Sequence, residues 1–355
     1  MKPTKKVALP RFGEYNCAMK YIVEQGFDYQ CILPPPLTKR SEELGARNSP
    51  DLVCTPFKTT LGSMIEALET GADTLIMVYG ACRLNYYAEL QEQILRDLGY
   101  SFDFVNLSLY NTGKKKDLLR AIRAINPHAS IVKAGKALLE ASKMVEHLDE
   151  ITGVYYQNCG FDPTGKYQQV YKQFLADMYA AHNAEEIRRG YERAQKGFAE
   201  VPLQKPEDPV RVGVLGEYYT VMDPFSNLEI EQKLADMGVE VHRWMNITSD
   251  ILHNEGKKQQ EAIRERSLYS MGGNSTADLF QAQSFARMGF DGLVHVKSAG
   301  CTPETDVMPV LANLSQDHRI PVLYLTYDSQ TSDVGLMTRL EAFYDMIEMR
   351  KKATH

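Results

Sequence analysis

One pattern restricts this chain more than any other: an apolar run of strand length followed by a stretch of helical periodicity, repeated from one end to the other. Val7–Leu9 precedes 14-EYNCAMKYIVEQG-26, in which Tyr15, Ala18, Met19, Ile22 and Val23 share one helical face. Phe27–Leu33 alternates like a strand, and 57-FKTTLGSMIEALETG-71 leads as a helix into the strand 74-TLIMVY-79. The helix 85-NYYAELQEQILRDLG-99 and the strand 102-FDFVNL-107 complete the first series. A charged helical stretch follows, interrupted by the loop 158-NCGFDPTG-165. The proline-rich segment 201-VPLQKPEDPV-210 then reads as a linker. Beyond it the rhythm restarts with strands at 211–216, 239–245, 292–297 and 321–327. Helices at 226–238, 256–268, 276–288, from about 303, and at 336–351 accompany them. Alternation of this kind predicts an α/β fold: two domains with mostly parallel sheets covered by helices, joined by a helical segment. The expected boundaries are 1–125, 126–205 and 206–355.

A length of 355 residues suits two domains of ordinary size. The longest uncharged apolar stretch, 74-TLIMVYGAC-82, is far shorter than a membrane span. No apolar segment follows the basic residues of MKPTKKVALPRF, so no signal peptide is expected and the expected compartment is the cytoplasm. A net charge of −6 carries no nucleic-acid footprint.

Six cysteines stand at 17, 31, 54, 82, 159 and 301, without a C-x-x-C pair among them. Three occupy either the loops at strand ends, where open α/β sheets gather ligands, or helix starts. Cys82 follows the strand 74–79, Cys301 follows the strand 292–297, and Cys54 opens the helix near Pro56. Cys54 and Cys301 share the tripeptide Cys-Thr-Pro. Thr is a good helix cap and Pro suits the first helical position. A cysteine just before them lies at the positive end of the helix dipole, which favours a thiolate. Inert thiols, a nucleophile and gathered metal ligands all fit this geometry.

Taken together, 50-PDLVCTPFKTTLGSMIEALETGAD-73, 80-GACRLNYYAELQEQILRDLGY-100, 216-GEYY-219, 272-GGNS-275, 289-GFDGLVHVKSAGCTPE-304 and 338-TRLEAF-343 resemble the iron–sulfur component of the 2-hydroxyacyl-CoA dehydratases. That superfamily includes benzoyl-CoA reductase subunits, activase-related proteins and double-cubane cluster proteins. The resemblance implies a [4Fe–4S] cluster held by Cys54, Cys82 and Cys301, spaced by 28 and 219 residues, in an oxygen-sensitive anaerobic protein. It implies a separate ATPase activator of actin/hexokinase-like fold that delivers low-potential electrons; this chain lacks a G-x-x-x-x-G-K-[ST] loop of its own. The implied activity is reduction or dehydration of a small substrate such as a 2-hydroxyacyl-CoA, by a homo- or heterodimer. The alternatives are a double-cubane [8Fe–9S] reductase of a non-CoA molecule and a non-catalytic electron relay or cluster carrier. The chain departs from its activase-related relatives at Ser329, where they carry a carboxylate, and at Asp223-Pro224, where Glu-Pro is expected.

Several further residues are candidates. Arg83, beside Cys82, can offset cluster charge or bind an anionic substrate. Lys58 has the same two uses. Glu217 and Glu304 are strand-end carboxylates able to move protons, although Glu304 also suits a helix N-terminus. The loop 271-MGGNSTADL-279 opens a helix capped by Ser275 or Thr276 and can receive an anion. Cys159 is a candidate further ligand, Cys31 reads as a core thiol, and Cys17 falls off the apolar face of its helix and is expected to be exposed. His242 and His295 lie in strands as packed histidines, and Trp244 reads as core. Leu336, Leu340, Phe343, Met346 and Ile347 form the apolar stripe of the last helix.

Overall fold

A computed structural model describes residues 4–79, 87–108, 115–253, 256–328 and 330–354. Two compact units divide the chain, Met1–Val145 with Ala176–Arg189, and Glu146–Leu175 with Gly190–His355. The helical middle of the sequence is thus shared between them.

The first unit contains β1 (Lys6–Ala8), α1 (Asn16–Tyr21), β2 (Gln30–Cys31), α2 (Lys39–Asn48), α3 (Thr55–Glu69), β3 (Thr74–Tyr79), α4 (Tyr87–Asp97), β4 (Asp103–Ser108) and α5 (Lys115–Ile125). Three long helices follow, α6 (Ile131–Asn158), α7 (Lys166–Ala180) and α8 (Ala184–Ala199). The second unit contains β5 (Val210–Gly216), α9 (Tyr218–Met222), α10 (Ile230–Asp236), β6 (Val239–Arg243), α11 (Gly256–Ala262), α12 (Ser275–Arg287), β7 (Gly292–Ser298), α13 (Thr302–His318), β8 (Val322–Tyr327) and α14 (Asp333–Thr354).

Both sheets are parallel and share one strand order, β2-β1-β3-β4 and β6-β5-β7-β8. Parallel strands need helical crossovers, so both faces are covered. In β3, Leu75 and Met77 face Phe57, Leu61 and Leu95, whereas Ile76 faces Val7, Leu9 and Val23. In the second unit Leu215 and Leu293 meet Leu279, Phe285, Val307 and Leu311. On the opposite face α14 lies so close to the sheet that a Cβ on Gly292 would stand 2.6 Å from Ile347.

The strands at 74–79 and 211–216 fall where the alternation predicts, within a residue. The strand expected over 27–33 is reduced to Gln30–Cys31. The helix expected over 226–238 begins only at Ile230, because Leu228 and Glu229 take the left-handed conformation. Asn227 holds that turn, donating to the carbonyls of Thr220 and Val221 at 3.0 Å each. Helix α2 carries no apolar stripe and escaped the periodicity. It packs backbone-close to α3, where a Cβ on Gly45 would sit 1.7 Å from the Lys58 carbonyl oxygen. Cys17 is buried, not exposed, and its thiol donates to the Glu14 carbonyl at 3.1 Å. Met346 is an exception to the α14 stripe, since it is exposed while Leu336, Leu340, Phe343 and Ile347 are buried. No described helix is long and apolar enough to cross a membrane.

Candidate functional site

In each sheet the chain reverses its direction of travel between the first and third strands, between β1 and β3 and again between β5 and β7. Loops diverge at the carboxyl ends of those strands and leave a crevice where ligands bind in such sheets. The second unit describes this region fully. Strand β5 leaves the sheet at Gly216, whose φ of +138° suits a residue without a side chain. Here Glu217 donates its N–H to the Val296 carbonyl at 2.8 Å. The half-buried Glu217 carboxylate caps α9, accepting from the N–H groups of Tyr219 at 2.8 Å and Thr220 at 2.9 Å. Burial pushes this carboxyl above its ordinary range against those hydrogen bonds, and the nearby charge of Glu304 adds to the rise.

Cys301 is itself the cap of α13, with extended backbone at φ −73°, ψ 105°. Cys54 caps α3 in the same way, at φ −67°, ψ 159°. This shifts the expected assignment by one residue: Thr55 and Thr302 are the first helical residues and the prolines come second. Both cysteines are half-buried. The Cys301 carbonyl accepts from the Thr305 N–H at 3.1 Å and from its hydroxyl at 2.8 Å, locking the first turn. The Gly-Gly turn of 272-GGNS-275 lies against that turn, where a Cβ on Gly273 would come within 3.1 Å of Pro303. The cap of α12 is Asn274, not Ser275 or Thr276. Ser275 instead donates its hydroxyl to the Gly272 carbonyl at 2.6 Å.

The shared topology gives a correspondence that the tripeptides hide. Cys301 lies three residues beyond the end of β7, and Cys82 three beyond the end of β3, the matching strand. Cys54 caps the helix entering β3, and its counterpart entering β7 is Asn274. The two Cys-Thr-Pro segments therefore occupy different positions in the two sheets. Cys82 and Arg83 lie outside the described residues, as does Ser329.

Beneath the crevice, a polar group is enclosed by α12, α13 and β7. His295 and Glu304 are 0% and 1% exposed, and an imidazole nitrogen, Nε2, lies 2.9 Å from the carboxylate. Glu304 therefore turns inward to His295 from the first turn of its helix. Asp278, also fully buried, accepts the Gly216 N–H at 2.9 Å and ties α12 to the end of β5. Asp278 escaped the sequence reading; its signal, an acidic residue in the first turn of a helix that follows a Gly-Gly turn, is common at ordinary helix starts.

The other cysteines are held differently. Burial pushes the Cys31 thiol up to about 12. Cys159 opens a short 3₁₀ turn after α6 and is also pushed up to about 12 by burial, against a hydrogen bond with Tyr155. Lys58 donates to the Asp51 carbonyl at 3.2 Å, beside the Cys54 cap. His242 lies 2.6 Å from Glu240, and Trp244 is partly buried against Phe285.

Two doubly covered parallel sheets of matching strand order, with helices entered directly from the strand ends, define an α/β protein of the open-sheet class. The profile of the 2-hydroxyglutaryl-CoA dehydratase D-component family matches residues 27–347, and the chain belongs to that family. Comparison with curated proteins returns no match.

Proposed function

We propose that this chain is the iron–sulfur component of an ATP-activated dehydratase or low-potential reductase, with Cys54, Cys82 and Cys301 supplying thiolates to one [4Fe–4S] cluster. The observation that carries the reading is the capping position of Cys54 and Cys301, half-buried at helix N-termini, within a chain of the dehydratase D-component family. Helix N-termini favour negative charge, as a thiolate-ligated cluster requires. The topological match of Cys82 to Cys301 supports the third ligand. Three thiolates suit a cluster with one iron left open.

When bound, such a cluster supplies an electron at low potential to a substrate carbonyl. The chain's own residues then have separate tasks. Glu217, whose carboxyl burial raises above its ordinary range, is the proton-handling group at the end of β5. Glu304 is held in place by His295, whose Nε2 lies 2.9 Å from its carboxylate. Arg83, next to Cys82 in the sequence, would offset the negative charge of cluster or substrate. The substrate is a small 2-hydroxyacyl thioester, and the electron donor is a separate actin/hexokinase-like ATPase in the cytoplasm.

Anaerobic reconstitution followed by iron and sulfide analysis tests this. About four irons per chain are expected, against about eight for a double cubane. Cys54→Ala, Cys82→Ala and Cys301→Ala should each lose the cluster while Cys31→Ala retains it. A folded, colourless, iron-free chain after reconstitution would sink the reading.

A further inference from the structure

We propose that Asp278, His295 and Glu304 form a second metal site, one for a single divalent cation held by two carboxylates and an imidazole. The three side chains come from α12, β7 and α13, and one potential ligand atom from each lies within 4.8 Å of the others. Ligands bound about 2.1 Å from one ion stand about 3.0 to 3.4 Å apart, so small rotations would close the shell. The His295–Glu304 pair is already at 2.9 Å.

The charge balance favours an ion here. Asp278 and Glu304 place two carboxylates where neither is more than 1% exposed. Burying such charges is costly without compensation. Lys297, on the same face of β7, sends its ammonium to the Thr305 hydroxyl at 3.2 Å. Two carboxylates, a neutral imidazole and a divalent cation sum to zero. His295 faces Glu304 through Nε2, which makes Nε2 its ligand atom and leaves the ring proton on the buried Nδ1.

The donor set also selects the ion. Two carboxylate oxygens and one nitrogen suit Mn²⁺, Co²⁺, Fe²⁺ or Zn²⁺, unlike the thiolates that hold an iron–sulfur cluster. An ion in this position would clamp α12, β7 and α13 together and, through the Asp278–Gly216 hydrogen bond, fix the end of β5. The site does not depend on the cluster reading, since it uses none of the cysteines.

Manganese is the appropriate probe, because thiolates compete poorly for it. The full chain, prepared anaerobically and freed of loosely held metal with a chelator, is dialysed against Mn²⁺ and its metal content is counted. The expected result is about one Mn²⁺ per chain and a melting temperature that rises with Mn²⁺. His295→Gln and Glu304→Gln should each weaken binding at least about tenfold and abolish the Mn²⁺-dependent shift in melting. Cys54→Ser and Cys301→Ser should leave both unchanged. The wild-type melting shift provides a test even where a variant fails to fold. Absence of both bound Mn²⁺ and the shift in the wild-type chain would overturn the proposal. So would undiminished binding in a folded His295 or Glu304 variant.

Discussion

Gly216→Ala tests whether the end of β5 is as tightly specified as its geometry indicates. At φ +138°, an L residue is strained, and such a conformation costs about 1–3 kcal/mol. The added Cβ would stand 1.8 Å from the Val296 carbonyl oxygen, so backbone must move, at about 1–3 kcal/mol more. That same oxygen accepts the Glu217 N–H at 2.8 Å, and losing this bond adds about 1 kcal/mol. Together these give a loss of about 3–7 kcal/mol. The control is Gly238→Ala, where φ is +79° but no atom lies within 4 Å of the new Cβ. Conformation alone costs about 1–2 kcal/mol there. Trp244, the chain's single tryptophan, belongs to the second unit and packs 4.2 Å from Phe285, so its fluorescence reports that unit's unfolding. With a urea slope of about 2 kcal/mol per molar, the 216 variant should unfold about 1.5–3.5 M earlier than wild type. If alanine at 216 were no more destabilising than at 238, the argument from close approach at the switch point would be wrong.

Further outcomes follow from the side chains. Burial works against ionisation of Glu240, but hydrogen bonds from His242 and Lys205 pull its carboxyl down to about 2. Its folded pKa is depressed, so its stabilisation is complete above the unfolded value near 4.5 and is lost as pH falls toward 2. Acid titration of unfolding in wild type and Glu240→Gln should show a shallower loss over that window in the variant. An identical acid limb would count against the coupling. Cys31 and Cys159, both pushed up to about 12, hold about a thousandfold less thiolate at pH 8 than a free cysteine. Mass spectrometry after brief iodoacetamide treatment of the folded chain should find both unmodified, with labelling appearing on denaturation; rapid labelling of either would contradict their buried setting.

The chain's own pattern already fixes the α/β class, because strands covered on both faces need continuous apolar runs and the crossovers between them need helical periodicity. Residues 74–79 and 211–216 illustrate it. It also placed Cys54 and Cys301 at helix starts, since Thr-Pro has few other uses at that spacing. What escaped it depended on neighbours distant in the chain. Helix α2 is stabilised by backbone contact through Gly45 and Gly62, which leaves no periodic stripe to read. Cys17 lies off the apolar face of its own helix yet is buried by the rest of the unit. The matching order of the two sheets pairs Cys82 with Cys301, and Cys54 with Asn274, against the similarity of the tripeptides. Only tertiary structure could bring Asp278, His295 and Glu304 together, because local pattern cannot show which buried polar groups from separate elements face one another.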